Sequence, residues 1–299
     1  MAITAATKLS DFSGFLTPAQ SAPIFEQAAQ ESVVQRLARR VPLGFSGQTI
    51  PVVTGKPVAG WVSEGDTKPA TQGTLGLQTM TPEKLAAIAV VSSEVVRANP
   101  GDYVTLLRGL LAEAFAIAFD SAALHGTNTP FDNYIDETTK SVEFGTAAQN
   151  AGGIYGDIVA GLEQLVDDEK RLTGFAFDLR TEPILLSSVD STGRPIFIDT
   201  PLEDTVSAVT PGRLIGRPAF LGDGVAGGGI LGYGGDWSQV VWGAIGGISY
   251  KVSTEATVTI NGSLVSLFEK NLVAILAEAE YGLVINDVEA FVEYHAEGS

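Results

Sequence analysis

The search for chemistry begins with His125 and His295, the only two histidines in 299 residues. A zinc or acid–base site built on histidine needs a second ligand at a fixed offset, as in H-E-x-x-H, and neither residue has one. His125 precedes Gly126 at the end of a long apolar stretch, where an imidazole complements the negative end of a helix dipole. His295 falls in the tail. The absence of cysteine removes thiolate nucleophiles, disulfides and cysteine-ligated zinc together. The sequence also lacks a G-x-S-x-G elbow, a Walker loop ending in Lys-Ser or Lys-Thr, and calcium-loop spacing. Neither a metal nor a cofactor is expected.

One spacing does fit a cofactor site. Gly222-Asp223-Gly224-Val225-Ala226-Gly227 matches G-x-G-x-x-G and follows the apolar Pro218 to Leu221. A dinucleotide site needs a helix opening at those glycines so that its amides meet the pyrophosphate. Gly228-Gly229 and the glycines between Gly232 and Gly235 follow, so a glycine hairpin is expected. A nucleotide-binding oxidoreductase remains the enzymatic alternative. Asp167-Asp168-Glu169, beside Lys170 and Arg171, reads as a solvated helix face. Trp61 with Glu64, and Trp237 with Trp242, lack the convergent polar partners of a sugar site and read as strand-end packing or subunit contacts.

The elements that position these residues draw on a chain that is 45% hydrophobic and 18% charged, with mean hydropathy +0.21, enough for a large core. No apolar run reaches the roughly 20 residues of a membrane helix, since Leu110 to Leu124 contains Glu113, Asp120 and Ser121. Met1 to Ser13 lacks the layout of a secretory signal, so cytoplasmic synthesis is expected. A length above the roughly 100 to 200 residues of one domain predicts two lobes, or one domain with large excursions. With 18 basic against 35 acidic residues and a net charge of −17, the chain does not grip phosphates over its whole surface.

Thr17-Pro18 predicts a helix start, with Ile24, Phe25, Ala28 and Ala29 at helical spacing. From Val41 to Pro82, Gly, Pro, Thr and Ser surround short β-prone pieces at Ile50 to Val53 and Gly60 to Val62. Connections beyond about 12 to 15 residues are uncommon without a function, so this segment predicts an extended two-stranded arm packed on neighbouring subunits. Leu85, Ala87, Ala89 and Val91 alternate as in a returning strand. Asp102 is the expected cap of a helix to Leu124, with Thr105, Arg108, Glu113 and Asp120 as its polar stripe. Asn128 to Gly153 reads as a transition. Asp157 is the expected cap of a second helix, with Ile158, Leu162, Leu165 and Val166 facing one way. Short strands and glycine turns follow from Phe175 to Gly246. Then come alternation at Ile248, Tyr250 and Val252, a hairpin turn at Asn261-Gly262, and closing strands at Leu283 to Ile285 and Phe291 to Tyr294.

The order of these segments carries a resemblance. Glu31 to Val34 with Val41-Pro42, Ile50-Pro51-Val52 through Trp61 to Gly65, and Lys84-Leu85-Ala86 through Val91 to Val95 form its first part. Gly193-Arg194-Pro195, Gly216-Arg217-Pro218, Gly235 to Ser238 with Gly246 to Ile248, and Tyr281 to Val284 with Ala290-Phe291 complete it. Together they resemble the major capsid proteins of tailed bacteriophages, whose α+β architecture, the Johnson fold, also occurs in encapsulins.

The resemblance implies an N-terminal arm at 1–40, an extended β-hairpin loop at 41–82, and a peripheral domain at 83–151 with a spine helix at 102–124. It implies an axial domain at 152–246, a peripheral sheet at 247–282, and a C-terminal strand at 283–299 that rejoins the axial domain. The implied function is a non-enzymatic shell subunit. Hexamers and pentamers of the chain would enclose double-stranded DNA without sequence-specific binding, in a virion assembled in the host cytoplasm and without a membrane. An encapsulin-type shell around cargo enzymes is the alternative. Portal and decoration proteins are implied partners. The arm begins close to Met1, so a separate scaffolding protein or none is expected. Trp61, Glu64, Lys56, Lys68, Arg108 and Glu113 are the intersubunit contact candidates. Some members join a loop lysine to a neighbour's asparagine; Lys56 and Lys68 are the lysines available here, and no crosslink is expected from them.

Overall fold

The computed structural model describes residues 32–296 apart from 56, 58, 65–66, 69–73, 100–102, 149–151, 189–196 and 200–208. The expected helix after Thr17, the cap at Asp102 and the turn at Gly193-Arg194-Pro195 lie outside them. In chain order the helices are α1 (Val33–Leu37), α2 (Ser93–Ala98), α3 (Tyr103–His125), α4 (Ile154–Asp167) and α5 (Glu182–Ser187). The first strands are β1 (Arg39–Arg40), β2 (Gln48–Gly55), β3 (Thr74–Met80), β4 (Glu83–Ser92), β5 (Ser141–Glu143), β6 (Gly174–Phe177) and β7 (Phe197–Asp199). The remainder are β8 (Thr210–Leu214), β9 (Arg217–Leu221), β10 (Ile230–Gly235), β11 (Val240–Ser253), β12 (Thr257–Ile260), β13 (Ser263–Ser266), β14 (Leu272–Ile285) and β15 (Phe291–His295).

A four-stranded sheet runs β1-β11-β14-β4. Its centre is the antiparallel pairing of β11 with β14, each 14 residues long. Between Ile245 and Ser249 the register advances four residues on β11 and two on β14, so the excess is even and side-chain parity survives. Val240 and Trp242 before the bulge therefore share a face with Ile248 and Tyr250 after it. The left-handed backbone at Gly246 (φ +66°) suits the bulge, through which β11 continues as one strand.

Strand alternation decides what each face does. On β4, Leu85, Ala87, Ala89 and Val91 turn inward as their spacing predicts. On β14, Val273, Ile275, Ala277 and Ala279 join them, and the resulting surface packs against Leu107, Leu111 and Phe115 of α3. That helix is roughly 35 Å long at 1.5 Å per residue. Its far end leaves this core and enters another, formed by Phe119, Ala123 and Leu124 with α1, Trp237, Trp242 and Phe291. The opposite face of β14 has three zones: Leu272 and Ala274 lie under the β12–β13 hairpin, Glu278 and Glu280 pair with Lys84, and Val284 lies beneath the base of the β2–β3 arm.

A seven-stranded sheet runs β5-β15-β10-β6-β9-β8-β7. Helix α4 lies on it, with Ile158 and Leu165 buried and Gly161 seated against Tyr294. Two expectations change here. Val166 is 57% exposed because it lies one residue, about 100° of helix, beyond Leu165. Asp157 is not the cap, since the helix begins at Gly153–Ile154; its buried carboxylate instead accepts from the amides of Gly145 and Ala147 and from the Thr146 hydroxyl, at 2.7 to 2.9 Å. It closes the turn after β5.

Asp120 departs furthest from its expected place on the polar stripe. At 1% exposure it accepts from the Ser32 hydroxyl, the Val33 amide (2.8 Å) and the Val34 amide (3.2 Å), meeting the free donors at the start of α1. Burial pushes its carboxyl up to about 7, against the downward pull of those hydrogen bonds. An unfolded chain releases this proton near pH 4. Between about pH 4 and 7 the folded state therefore holds a proton that the unfolded state has lost, so this contribution to stability falls as pH rises through that window and is flat above it. A tenfold difference in proton affinity is worth about 1.4 kcal/mol. Thermal melts at pH 5 and pH 8 should show wild type losing several degrees more than Asp120→Asn; parallel profiles would contradict this account.

Candidate functional site

The polar centre most like a catalytic one surrounds His125. Its Nε2 lies 3.0 Å from the Val225 carbonyl, so this nitrogen donates. Its Nδ1 lies 2.9 Å from Asp136 Oδ2 and 2.9 Å from the Tyr233 hydroxyl, which in turn donates to Asp136 Oδ1. The imidazole is 9% exposed, and a Cβ at Gly227 would fall 2.8 Å from the ring, leaving no room for a substrate. Burial, then the neighbouring Asp136 carboxylate, drives the Tyr233 phenol well above its usual range. The cluster ties the end of α3 to β10. Sequence reasoning had a helix dipole for His125; the specific partners come from elements about 10 to 110 residues away in the chain. His295 lies 3.0 Å from Glu293 at the end of β15.

The glycine spacing does not make a nucleotide site. After Gly227 the chain turns tightly through Gly228 and Gly229, both with positive φ, and enters β10 without a helix. The glycines of β10 serve packing: a Cβ at Gly232 would lie 2.2 Å from the Phe177 ring, and one at Gly234 would lie 3.1 Å from the Phe175 ring. Trp237 and Trp242 are buried, donating to the carbonyls of Gly174 and Gln35. Within Asp167-Asp168-Glu169, Asp168 is not merely solvated; Lys140 Nζ lies 2.7 Å away and holds its carboxyl below the usual range. Lys140 also reaches Glu289 at 2.8 Å, stapling α4 to the segment before β15. Among the described residues no group of three or more acidic or histidine side chains is arranged to hold a metal, and no helix is long and apolar enough to cross a membrane.

The most exposed apolar surface among the described residues is on projecting elements and their base. β2 and β3 form an antiparallel arm whose base is fixed by Leu43, Ile50 and Met80 against Val241 and Val284. The seat is a notch made by Gly243 and Gly282, which face each other across β11 and β14. A Cβ at Gly282 would lie 2.6 Å from Met80 Cγ and 2.9 Å from the Thr81 carbonyl; one at Gly243 would lie 2.9 Å from Leu43 Cβ. Farther along the arm, Leu75 and Leu77 share a face and are 70% and 73% exposed, with Pro51 paired to Leu77. Trp61 is fully exposed, and Glu64 and Lys68 are exposed beside it. Leu264 and Phe268, at the β12–β13 hairpin, are 78% and 79% exposed. Sequence reasoning missed this second projection; the Asn261-Gly262 turn was the available signal.

Of the other contact candidates, Glu113 is half-buried on α3, Arg108 lies on the same helix, and Lys56 is outside the described residues. The arm thus gathers Trp61, Glu64 and Lys68, whereas Arg108 and Glu113 belong to the spine.

The chain matches the profile of the Phage capsid family over residues 13–295. It is 44% identical over 286 residues to the probable major capsid protein gp17 of Mycobacterium phage D29, covering 94% of this chain and 90% of that protein. It is 42% identical over 293 residues to the corresponding protein of Mycobacterium phage L5, covering 95% and 90%. A solved chain from Mycobacterium phage Bobi superposes with TM-score 0.73 at 19% identity, covering 99% of this chain and all of that one.

Filling the notch tests whether it seats the arm. Gly282→Ala should lose about 1–3 kcal/mol because its Cβ meets backbone that cannot yield. It should also speed protease cleavage between 41 and 82. Gly109→Ala, where a Cβ meets nothing within 4 Å, should leave the arm unchanged and stabilise α3 by about 0.5–1 kcal/mol. Equal melting and cleavage in both variants would contradict the seat.

Proposed function

The chain belongs to the Phage capsid family and is a bacteriophage major capsid protein, and from that premise we propose that it closes as hexamers and pentamers into the head enclosing a double-stranded DNA genome. The observation that carries the reading is identity above 40% along nearly the whole chain to proteins named as major capsid proteins. The family is structural, and we assign no enzymatic step to the subunit.

In this reading residues 1–40 are the N-terminal arm and 41–82 the extended loop. Residues 83–151 and 247–282 make the peripheral domain around α3, and 152–246 with 283–299 make the axial domain. Support comes from the long helix on the four-stranded sheet and from the seven-stranded sheet that β15 rejoins; β5 also joins the latter from 83–151, and β11 and β14 carry 240–246 and 283–285 into the former. The arm, with its exposed leucines and Trp61, lies across a neighbouring subunit. Weak contacts repeated over many copies make a closed shell persistent. In this reading contact with DNA is nonspecific, and a net charge of −17 disfavours strong electrostatic attraction to phosphates. Portal, scaffolding and decoration proteins are the further partners, with assembly in the host cytoplasm.

Expressed alone and fractionated by size, the protein should give closed shells or capsomer rings under negative-stain electron microscopy. A homogeneous small oligomer across varied salt and concentration would count against the shell. Particles from infected cells should contain DNA; enzyme cargo in its place would favour the encapsulin-type alternative.

A further inference from the structure

A pocket of about 440 Å³ lies between the C-terminal half of α3, the start of β4, the middle of β14 and the loop at 127–131. Its apolar wall comes from Leu85, Ala118, Phe119, Ala122, Phe131 and Tyr281. Phe119 stands edge-on to Phe131 at 6.0 Å and tilted to Tyr281 at 5.2 Å, so the wall is built from mutually packed rings. The volume falls in the range, roughly 300–1,000 Å³, of pockets that take ring-sized groups. Glu83 also lines it and brings a negative charge, whereas the Lys84 ammonium is turned to Glu278 and Glu280 on the opposite face of the sheet.

The complementary group is on the same chain but out of its own reach. β2 and β3 carry the arm roughly 25 Å from its base at about 3.3 Å per residue. Trp61 lies beyond them, exposed to 106% of the reference value, so no described residue of its own subunit covers it. Trp237 and Trp242 are 2% and 8% exposed with their indole N–H groups bonded, which leaves Trp61 as the indole awaiting a partner. Glu64 and Lys68, three and seven residues farther along the chain, are exposed, and Lys68 carries the charge complementary to Glu83. Burying a tryptophan removes about 150–250 Å². This is well below the roughly 1,200–2,000 Å² of a stable interface, so the contact is an anchor within a larger interface.

We propose that Trp61 of one copy inserts into the Phe119–Phe131–Tyr281 pocket of a neighbouring copy, with the Glu83 carboxylate accepting its indole N–H. This rests on the shell reading above and deepens it by naming an anchor and its socket.

The test uses the cysteine-free chain as its own background. Trp61→Cys and Ser121→Cys are made separately, co-assembled and mildly oxidised; Ser121 lines the pocket. Disulfide-linked dimers should form from this mixture and not from Trp61→Cys mixed with Glu255→Cys, which lies near β12. In wild type, assembly should shift tryptophan emission to the blue and reduce acrylamide quenching, both reporting Trp61 because the other two tryptophans are buried already. Trp61→Ala should require about tenfold or more protein to assemble, as for a hot-spot residue. Shells that form normally but give no 61–121 link, or keep Trp61 quenchable, would overturn the anchor and leave the shell reading intact. Burial of Trp61 only when a second protein is added would also overturn it, and failure of wild type to assemble at all would sink the shell reading itself.

Discussion

The antiparallel pairing of β11 with β14 is the constraint on which the other elements depend. Fourteen residues on each side run through a bulge that preserves parity, so one continuous face serves two cores. At one end that face carries α3; at the other it meets Trp237, Phe291 and the entry of α1. A bulge of odd length would have turned Ile248 and Tyr250 to the opposite face and removed β11's share of the apolar bed that β4 and β14 provide for the first half of α3.

Glycine has an opposite meaning here from the one its spacing first suggests. In β10 it leaves room for the Phe175 and Phe177 rings, and at Gly243 and Gly282 it lets the arm approach the sheet backbone. Both are close-packing roles, which need a missing side chain rather than an anion. Polar groups are likewise spent on holding elements together. Asp120 fastens α1 to α3, Asp157 closes a turn, and His125 with Asp136 and Tyr233 joins α3 to β10. Each is engaged by partners within its own chain.

The most exposed of the large hydrophobic groups lie on the arm, on the 43–47 turn before it and at the β12–β13 hairpin. A chain carrying −17 charges repels its copies at long range, so the attractions that assemble it must be short-ranged and apolar. Exposed Leu75, Leu77, Trp61, Leu264 and Phe268 meet that requirement. In the shell reading proposed above, these projections would carry the contacts between copies while each subunit's own cores stay closed.

Much of this was legible in the sequence. The inward row of β4, the long helix over Tyr103–His125 and the Asn261-Gly262 turn follow from periodicity and turn chemistry, which act over a few residues. The order of short motifs carried the family, and the Gly-rich, Pro-rich stretch carried the arm. Other features depended on which distant segments meet. Nothing near Asp120 announces that Ser32, 88 residues earlier, will cover it, and a polar residue on a helix reads as wet until its neighbour is known. Asp157 was misplaced because its partners lie 10 to 12 residues upstream on the turn after β5, and Val166 because it sits one helical step past Leu165; the notch and the aromatic pocket exist only where strands remote in sequence converge. Local propensity and order of elements were decided by the sequence itself; burial, the partner of each buried polar group and the shape of the cavities were decided by tertiary packing, because they are properties of pairs of segments rather than of either one.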